Sequence, residues 1–504
     1  MCGLFSYTPP QYQSPRYHLT QELRAAFLRE TLLFILSGVL LILVIYHIYR
    51  FELVNSIHNL LLCLSLLFAW MRVMTAEIAV YNKTAVALAA DSAVTISGGN
   101  MYKINNGAEK LFSLSKHHPV GIMVYGAGDL CGVPWEIIIK AYRKELGDKC
   151  FDDIIDYSSD FFEFLRRSSH IISDEMRKEH LGLSFYSVFL SLMEHIKKDI
   201  VQPILQDNGS VDNVDTCEFI KRSCEKCLER FDDSEFFSSF DESVVAEAVN
   251  CAAPYADELF TEHLATDDTE KFRSEIVDLL SKIFAFSICK ISPFGRNTGI
   301  VIAGYGDSQY FPSILAFDVY GFLGDRIILH HNEGKSSYNG ESGVTAYAQE
   351  EEVQAFMQGI SSELDGYIKG NIDSISDVAT QRIQDEILSK ISLGDDENAL
   401  LLDGIRNTLD GCVLGCVHNI NKVIHENYIL KVVEMIEFLP KSDLGYMAES
   451  LVNLTAFKRK VSNDSETVGG PIDVAIISKG DGFVWIKRKH YFDKDLNHDY
   501  FCRR

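Results

Sequence analysis

Thr75 stands sixteen positions before Asp91. It heads the strand-like run Met74-Thr75-Ala76-Glu77-Ile78-Ala79-Val80, and Asp91 follows the apolar run Ala87-Leu88-Ala89-Ala90. A threonine hydroxyl attacks a carbonyl only when a base lies beside it, and the base built into a terminal threonine is its own α-amino group. That amine has an ordinary pKa of about 7.7–8.0, so only a minority is neutral near pH 7. Taken singly, Thr75 is a β-former and Asp91 a turn residue. Chemistry enters through their combination in order, with a lysine and a glycine turn behind them.

The lysine and the turn lie in Lys110-Leu111-Phe112-Ser113-Leu114 and in Val120-Gly121-Ile122-Met123-Val124-Tyr125-Gly126-Ala127-Gly128-Asp129, separated by Lys116 to Pro119. With Thr75 and Asp91, these segments resemble the β subunits of proteasomes and their bacterial relatives, of the N-terminal nucleophile hydrolase superfamily. Two later blocks are similar to that family's other hairpins. One is Ile300-Val301-Ile302-Ala303-Gly304-Tyr305-Gly306 with Pro312 to Gly321; the other is Gly469 to Gly482 with Phe483-Val484-Trp485-Ile486. The resemblance covers roughly 75–135, 297–360 and 460–487, under half of the chain.

The resemblance implies roles for six residues. Thr75 is the nucleophile, acting through its own free amine. Lys110 would lower the pKa of that amine, because a nearby like charge disfavours its protonation. Asp91 would keep the lysine charged and aimed. The Gly126 N–H would face the developing oxyanion. Asp464 and Thr467 keep the Asp-x-x-Ser/Thr spacing that supports the amine in the family. The expected activity is hydrolysis of peptide or amide bonds through an ester on Thr75, without a cofactor or metal; the resemblance implies a homo-oligomeric ring, against which the large helical insertions weigh, so the oligomeric state stays open.

Three departures accompany the resemblance. The loop Ser97 to Gly107 is about three residues longer than the pattern, which makes Lys103 a rival to Lys110. Val468 intrudes between Thr467 and the Gly469-Gly470 pair. The family's Gly-Ser-Gly turn is not evident where Ala346-Tyr347-Ala348-Gln349 precedes a Glu-rich helix start, leaving the amine fewer partners.

Elements must hold these residues in place. Residues 300–306 and 312–321 read as short buried strands joined by a polar loop. Trp135 to Tyr142, Phe161 to Arg167, Val353 to Met357 and Val432 to Ile436 have apolar residues at helical period. The order strands, helices, strands, helices, strands predicts an α+β fold: a four-layer αββα sandwich spanning 75–504, with helical insertions about 150–290 and 365–455. No internal repeat or low-complexity segment is evident.

With 504 residues, 47% of them hydrophobic, the chain can bury a sizeable core. A formal charge of −24 without a basic stripe argues against a nucleic-acid partner. Residues 1–74 carry +2, so the remainder carries −26, suited to a solvated acidic surface.

That N-terminal extension has its own character. Leu32 to Ile48 is almost continuously aliphatic, and 17 residues at about 1.5 Å each reach roughly 26 Å, the span of a thin hydrocarbon core. The run 60–70 is shorter. Arg16, Arg24 and Arg29 precede the first run, which favours a cytoplasmic N-terminus. Two spans would return the body to the cytoplasm as a membrane-anchored domain, whereas a single span would export it. Translation from Met74 would give a soluble cytoplasmic protein whose methionine is removed from Thr75. A cut at Met74-Thr75 would serve as well; an uncut chain would be an inactive relative.

Cys217, Cys224 and Cys227, and Cys412, Cys416 and His418, have ligand-like spacings but lack a second well-spaced pair, so reduced thiols are expected rather than zinc. Two further readings stand beside the hydrolase: a catalytically silent scaffold of the same fold, and a membrane-tethered binding protein.

Overall fold

The computed structural model describes residues 75–98, 101–105, 107–198, 202, 213–291, 297–390, 395–461, 469–493 and 495–499. Its strands are β1 (Glu77–Asn82), β2 (Ala85–Ala90), β3 (Val94–Gly98), β4 (Met101–Asn105), β5 (Leu111–Ser113), β6 (Val120–Gly126), β7 (Asp129–Leu130), β8 (Val133–Pro134), β9 (Thr298–Gly304), β10 (Ser313–Leu323), β11 (Arg326–His331), β12 (Gly343–Ala346), β13 (Asp473–Ser478) and β14 (Gly482–Lys487). Two five-stranded sheets result, ordered β12-β1-β2-β13-β14 and β11-β10-β9-β6-β5. Every pairing within them is antiparallel.

Alternation along the strands explains why the sheets stack. Successive side chains point to opposite faces, and in β1 and β2 both faces are apolar. Ala79, Val86 and Leu88 meet Met123, Val301 and Ala303 of the second sheet. Ile78, Val80 and Ala87 turn the other way, against Leu444, Ala448 and Leu451. On the second sheet, Ile122, Val124 and Ile302 face away from the seam, toward Trp135, Ile138 and Phe161. The protein is therefore a mixed α/β stack of helices, sheet, sheet and helices.

The helices over the second sheet are α1 (Trp135–Leu146), α2 (Ile154–Arg167) and α3 (Asp174–Ile196). Asp153 and Ser173 cap α2 and α3 by accepting the N–H of Ile155 and Met176. α4 (Asn213–Asp232), α5 (Glu242–His263) and α6 (Arg273–Cys289) pack with α3 around a further core built on Phe185, Phe260 and Phe284. That core also takes in Cys217, Cys224 and Cys227, so these thiols are packing groups, and burial pushes the Cys224 thiol up to about 12.

After β12 come α7 (Glu350–Gln358), the long pair α8 (Ser362–Lys390) and α9 (Asp395–Ile424), α10 (Leu430–Glu437) and α11 (Lys441–Val461). α11 covers the first sheet closely. A Cβ on its Gly445 would sit 3.1 Å from Ile476 Cδ1, a tight approach that shows how closely the helix lies on the sheet.

Among the described residues no helix is long and apolar enough to cross a membrane. The hydrophobic segments expected at 32–48 and 60–70 lie outside the described residues.

Candidate active site

At the head of the first sheet, Glu77 opens β1 on the face that continues into Ala79 and the seam between the sheets, and Thr75 lies two residues ahead of it on the chain entering the strand. β2 runs back beside β1 with Glu77 opposite Ala90, which sets Asp91 next to the chain entering β1. The Asp91 N–H donates to the Ala76 carbonyl at 3.1 Å, and the Ala76 N–H donates to Asp91 Oδ1 at 3.2 Å. The second sheet supplies the cation. Lys110 directly precedes β5, and its carbonyl accepts the Val124 N–H of β6 at 2.8 Å.

The side chains close into a cluster. Lys110 Nζ lies 2.5 Å from Asp91 Oδ1 and 3.0 Å from Glu77 Oε1, while Thr75 Oγ1 donates to Glu77 Oε2 at 2.8 Å. Asp91 Oδ2 accepts the Gly469 N–H at 2.9 Å, tying the approach to β13 into the same point. Thr75, Glu77 and Asp91 are wholly buried and Lys110 is 5% exposed. Burying such charges is costly unless they are paired and hydrogen-bonded, and here each ionic group has a partner of opposite sign.

The electrostatics follow from this packing. Burial works to lower the Lys110 pKa, but Glu77 and then Asp91 outweigh it, and the ammonium is held above its ordinary 10.5. For Glu77, burial raises the pKa, Lys110 lowers it and Asp91 raises it again, leaving the carboxyl at about 7. Glu77 therefore exchanges its proton near neutral pH.

The second carboxylate changes the net charge of the cluster. A lysine paired with Asp91 alone leaves the site neutral. With Glu77 ionised, Lys110, Asp91 and Glu77 sum to −1; protonating Glu77 restores neutrality.

No family model and no curated protein matches the chain. Among solved structures it is similar to Anbu (ancestral β-subunit) from Yersinia bercovieri, at 10% identity and a TM-score of 0.23, over 85% of this chain and 90% of that one. A likeness this distant assigns no chemistry.

The other expected site residues fall as follows. Gly126 ends β6 with φ +77°, two residues past the Val124 that bonds Lys110, and pairs in the ladder with Thr298. Asp464 and Thr467 lie outside the described residues. Lys103 sits in β4, whose two-stranded sheet with β3 is separate from both large sheets, with Ile96 as its register partner. Where the serine turn is absent, the Tyr347 N–H donates to the Glu77 carbonyl at 2.9 Å, and Gln349 takes φ +54° before α7.

Sequence reading missed Glu77. Its signal is an acidic residue two positions after Thr75 in an otherwise apolar run. The two-residue strand period puts positions 75 and 77 on one face, so a carboxylate beside the hydroxyl was readable from alternation.

Proposed function

We propose that this chain is a threonine-nucleophile hydrolase of peptide or amide bonds, of the proteasome-like N-terminal nucleophile type, and that its four layers are the αββα sandwich of that superfamily. One observation carries the reading: a buried Thr75, Asp91 and Lys110 meet where the two sheets face each other, with the hydroxyl hydrogen-bonded into the ion cluster. Once the Thr75 nitrogen is free, its neutral amine takes the proton from Oγ1 as the oxygen attacks the substrate carbonyl. The amine then returns that proton to the leaving nitrogen. Lys110, held charged, and Asp91 orient the site, and the Gly126 N–H stabilises the oxyanion. Water releases the resulting ester. Homo-oligomeric assembly belongs to the same reading; a membrane anchor at 32–48 would belong to a chain that keeps residues 1–74, not to one that begins at Thr75.

A catalytically silent scaffold is the second reading, and one observation favours it: Thr75 is wholly buried, with its hydroxyl committed to Glu77. N-terminal sequencing and intact mass of the purified native protein, combined with assays on peptide and amide substrates, separate the two. The hydrolase reading requires an active chain beginning at Thr75 whose activity is lost in Thr75→Ala. Hydrolysis that persists in Thr75→Ala, or a native chain that keeps its upstream peptide bond and cleaves nothing, rejects it.

A further inference from the structure

The insertion after α7 carries a surface that the candidate active site does not use. Its helices α8 and α9, of 29 and 30 residues, pair as an antiparallel hairpin about 44 Å long. Ser376 Oγ donates to Asp410 Oδ1 at 3.0 Å, joining the middles of the two helices. At the base of the hairpin α8 follows α7, and Tyr428 lies against Gly359.

The two broad sides of this hairpin differ in chemistry. Buried and half-buried positions, among them Ile372, Ser376 and Ile383 of α8 and Leu409, Val413 and Val417 of α9, mark the seam between the helices. At 100° per residue, one side of that seam presents Leu364, Tyr367, Ile375 and Val378 of α8 with Leu401 and Val423 of α9, all apolar and 40–70% exposed. The other side carries Glu363, Asp373, Asp377, Asp403 and Asp410, among which Leu414 stands singly. On the apolar side charges are confined to the ends, with Arg382, Asp385 and Glu386 toward the tip and Lys422 near the base. Its middle is uncharged. A Cβ on Gly404 or Gly415 would meet nothing within 4 Å, so another helix can come close there, and beside Gly404 a hollow of about 550 Å³ opens between Ile383, Leu401 and Ile405.

We propose that the apolar side of the α8–α9 hairpin docks the same hairpin of a second copy of this chain, the two closing a four-helix bundle about a two-fold axis. A pair of antiparallel helices with one apolar side is half of such a bundle. A two-fold contact asks that a surface complement itself, and this one brings no like charges together in its middle on a chain of net charge −24. Pairing through the other side would set five carboxylates against five. The extent fits as well. Leu401 to Val423 spans about 33 Å, and two helices side by side are about 20 Å wide, so roughly 600 Å² of each copy is covered, about 1,200 Å² for the pair and within the range of specific interfaces. The contact lies in the insertion and does not depend on the chemistry of Thr75.

Sedimentation equilibrium and light scattering of the full chain test this, as wild type, as Ile375→Glu/Val378→Glu and as Asp373→Ser/Asp377→Ser. All four positions are exposed, so the variants should keep the fold, which circular dichroism checks. The wild type is expected to contain an even number of chains. Ile375→Glu/Val378→Glu should halve that number and raise the dissociation constant at least about 100-fold, because carboxylates would be buried across the contact. Asp373→Ser/Asp377→Ser should match wild type. Hydrogen exchange gives a reading that stands even if the glutamate variant does not fold: on dilution of the wild type from the associated to the dissociated state, amides of 364–378 and 401–423 should exchange faster. A wild type that is monomeric or holds an odd number of chains, an assembly unmoved by the two glutamates, exchange in the hairpin that ignores dissociation, or a different protein seated on this face in place of the second copy overturns the assignment.

Discussion

Lys110 Nζ, carried by one sheet, lies 2.5 Å from Asp91 Oδ1, carried by the other. This contact locks the two sheets together at the point where Thr75 enters β1. It also makes the site's electrostatics a property of sheet stacking rather than of any one strand.

Removing the lysine leaves Asp91 and Glu77 buried without a counter-ion. Breaking one side of a buried pair in this way costs about 3–5 kcal/mol. Lys110→Ala should therefore lower the thermal midpoint strongly and abolish hydrolysis, whereas Lys103→Ala, in the separate β3–β4 sheet, should leave hydrolysis intact. Differential scanning calorimetry and an amide-hydrolysis assay on both variants check this; the reverse ranking assigns the cation to Lys103.

Thr75→Ala removes the donor to Glu77 Oε2, at a stability cost of about 1 kcal/mol. Activity should disappear while the circular dichroism spectrum and cooperative melting persist. Covalent labelling by a hydroxyl-directed electrophile that survives this change moves the nucleophile elsewhere.

Stability should carry the signature of Glu77. Its carboxyl rises from 4.5 to about 7 on folding, so the fold favours the protonated form. That contribution is fully present below about pH 4.5 and is lost as pH rises through 7. Wild type should lose stability relative to Glu77→Gln across this window, by at most about 3 kcal/mol. Denaturant unfolding of both proteins at pH 4.5 and 8 measures the difference, and a wild type that gains over the variant on going up in pH contradicts the assigned shift.

Gly126 adopts φ +77°, and a Cβ there would lie 3.1 Å from the Asn297 carbonyl oxygen. Gly126→Ala should cost about 1–3 kcal/mol through left-handed backbone strain. If its N–H serves the oxyanion, kcat should fall further than the melting shift accounts for. Calorimetry and steady-state kinetics on the same preparation separate the two effects.

The sequence by itself marked several apolar strands of the two large sheets and many of the helices, but not the β3–β4 pair, which falls where the loop Ser97 to Gly107 was expected. Runs such as Ala85 to Ala90 and Thr298 to Gly304 are apolar on both faces and too short for helices, so burial between layers was their only stable use. Trp135 to Leu146 and Ile154 to Arg167 carry their apolar residues at a helical period, and they cover a sheet for the same reason. Thr75 and Asp91 were legible because one hairpin joins them, and hairpin register follows from local backbone. Tertiary structure alone decided which cation meets them, since Lys110 reaches Asp91 only across two sheets whose stacking no local pattern encodes. It likewise decided the state of Glu77: a carboxyl's proton affinity is set by burial and by the charges around it, and those charges come from segments distant in the chain.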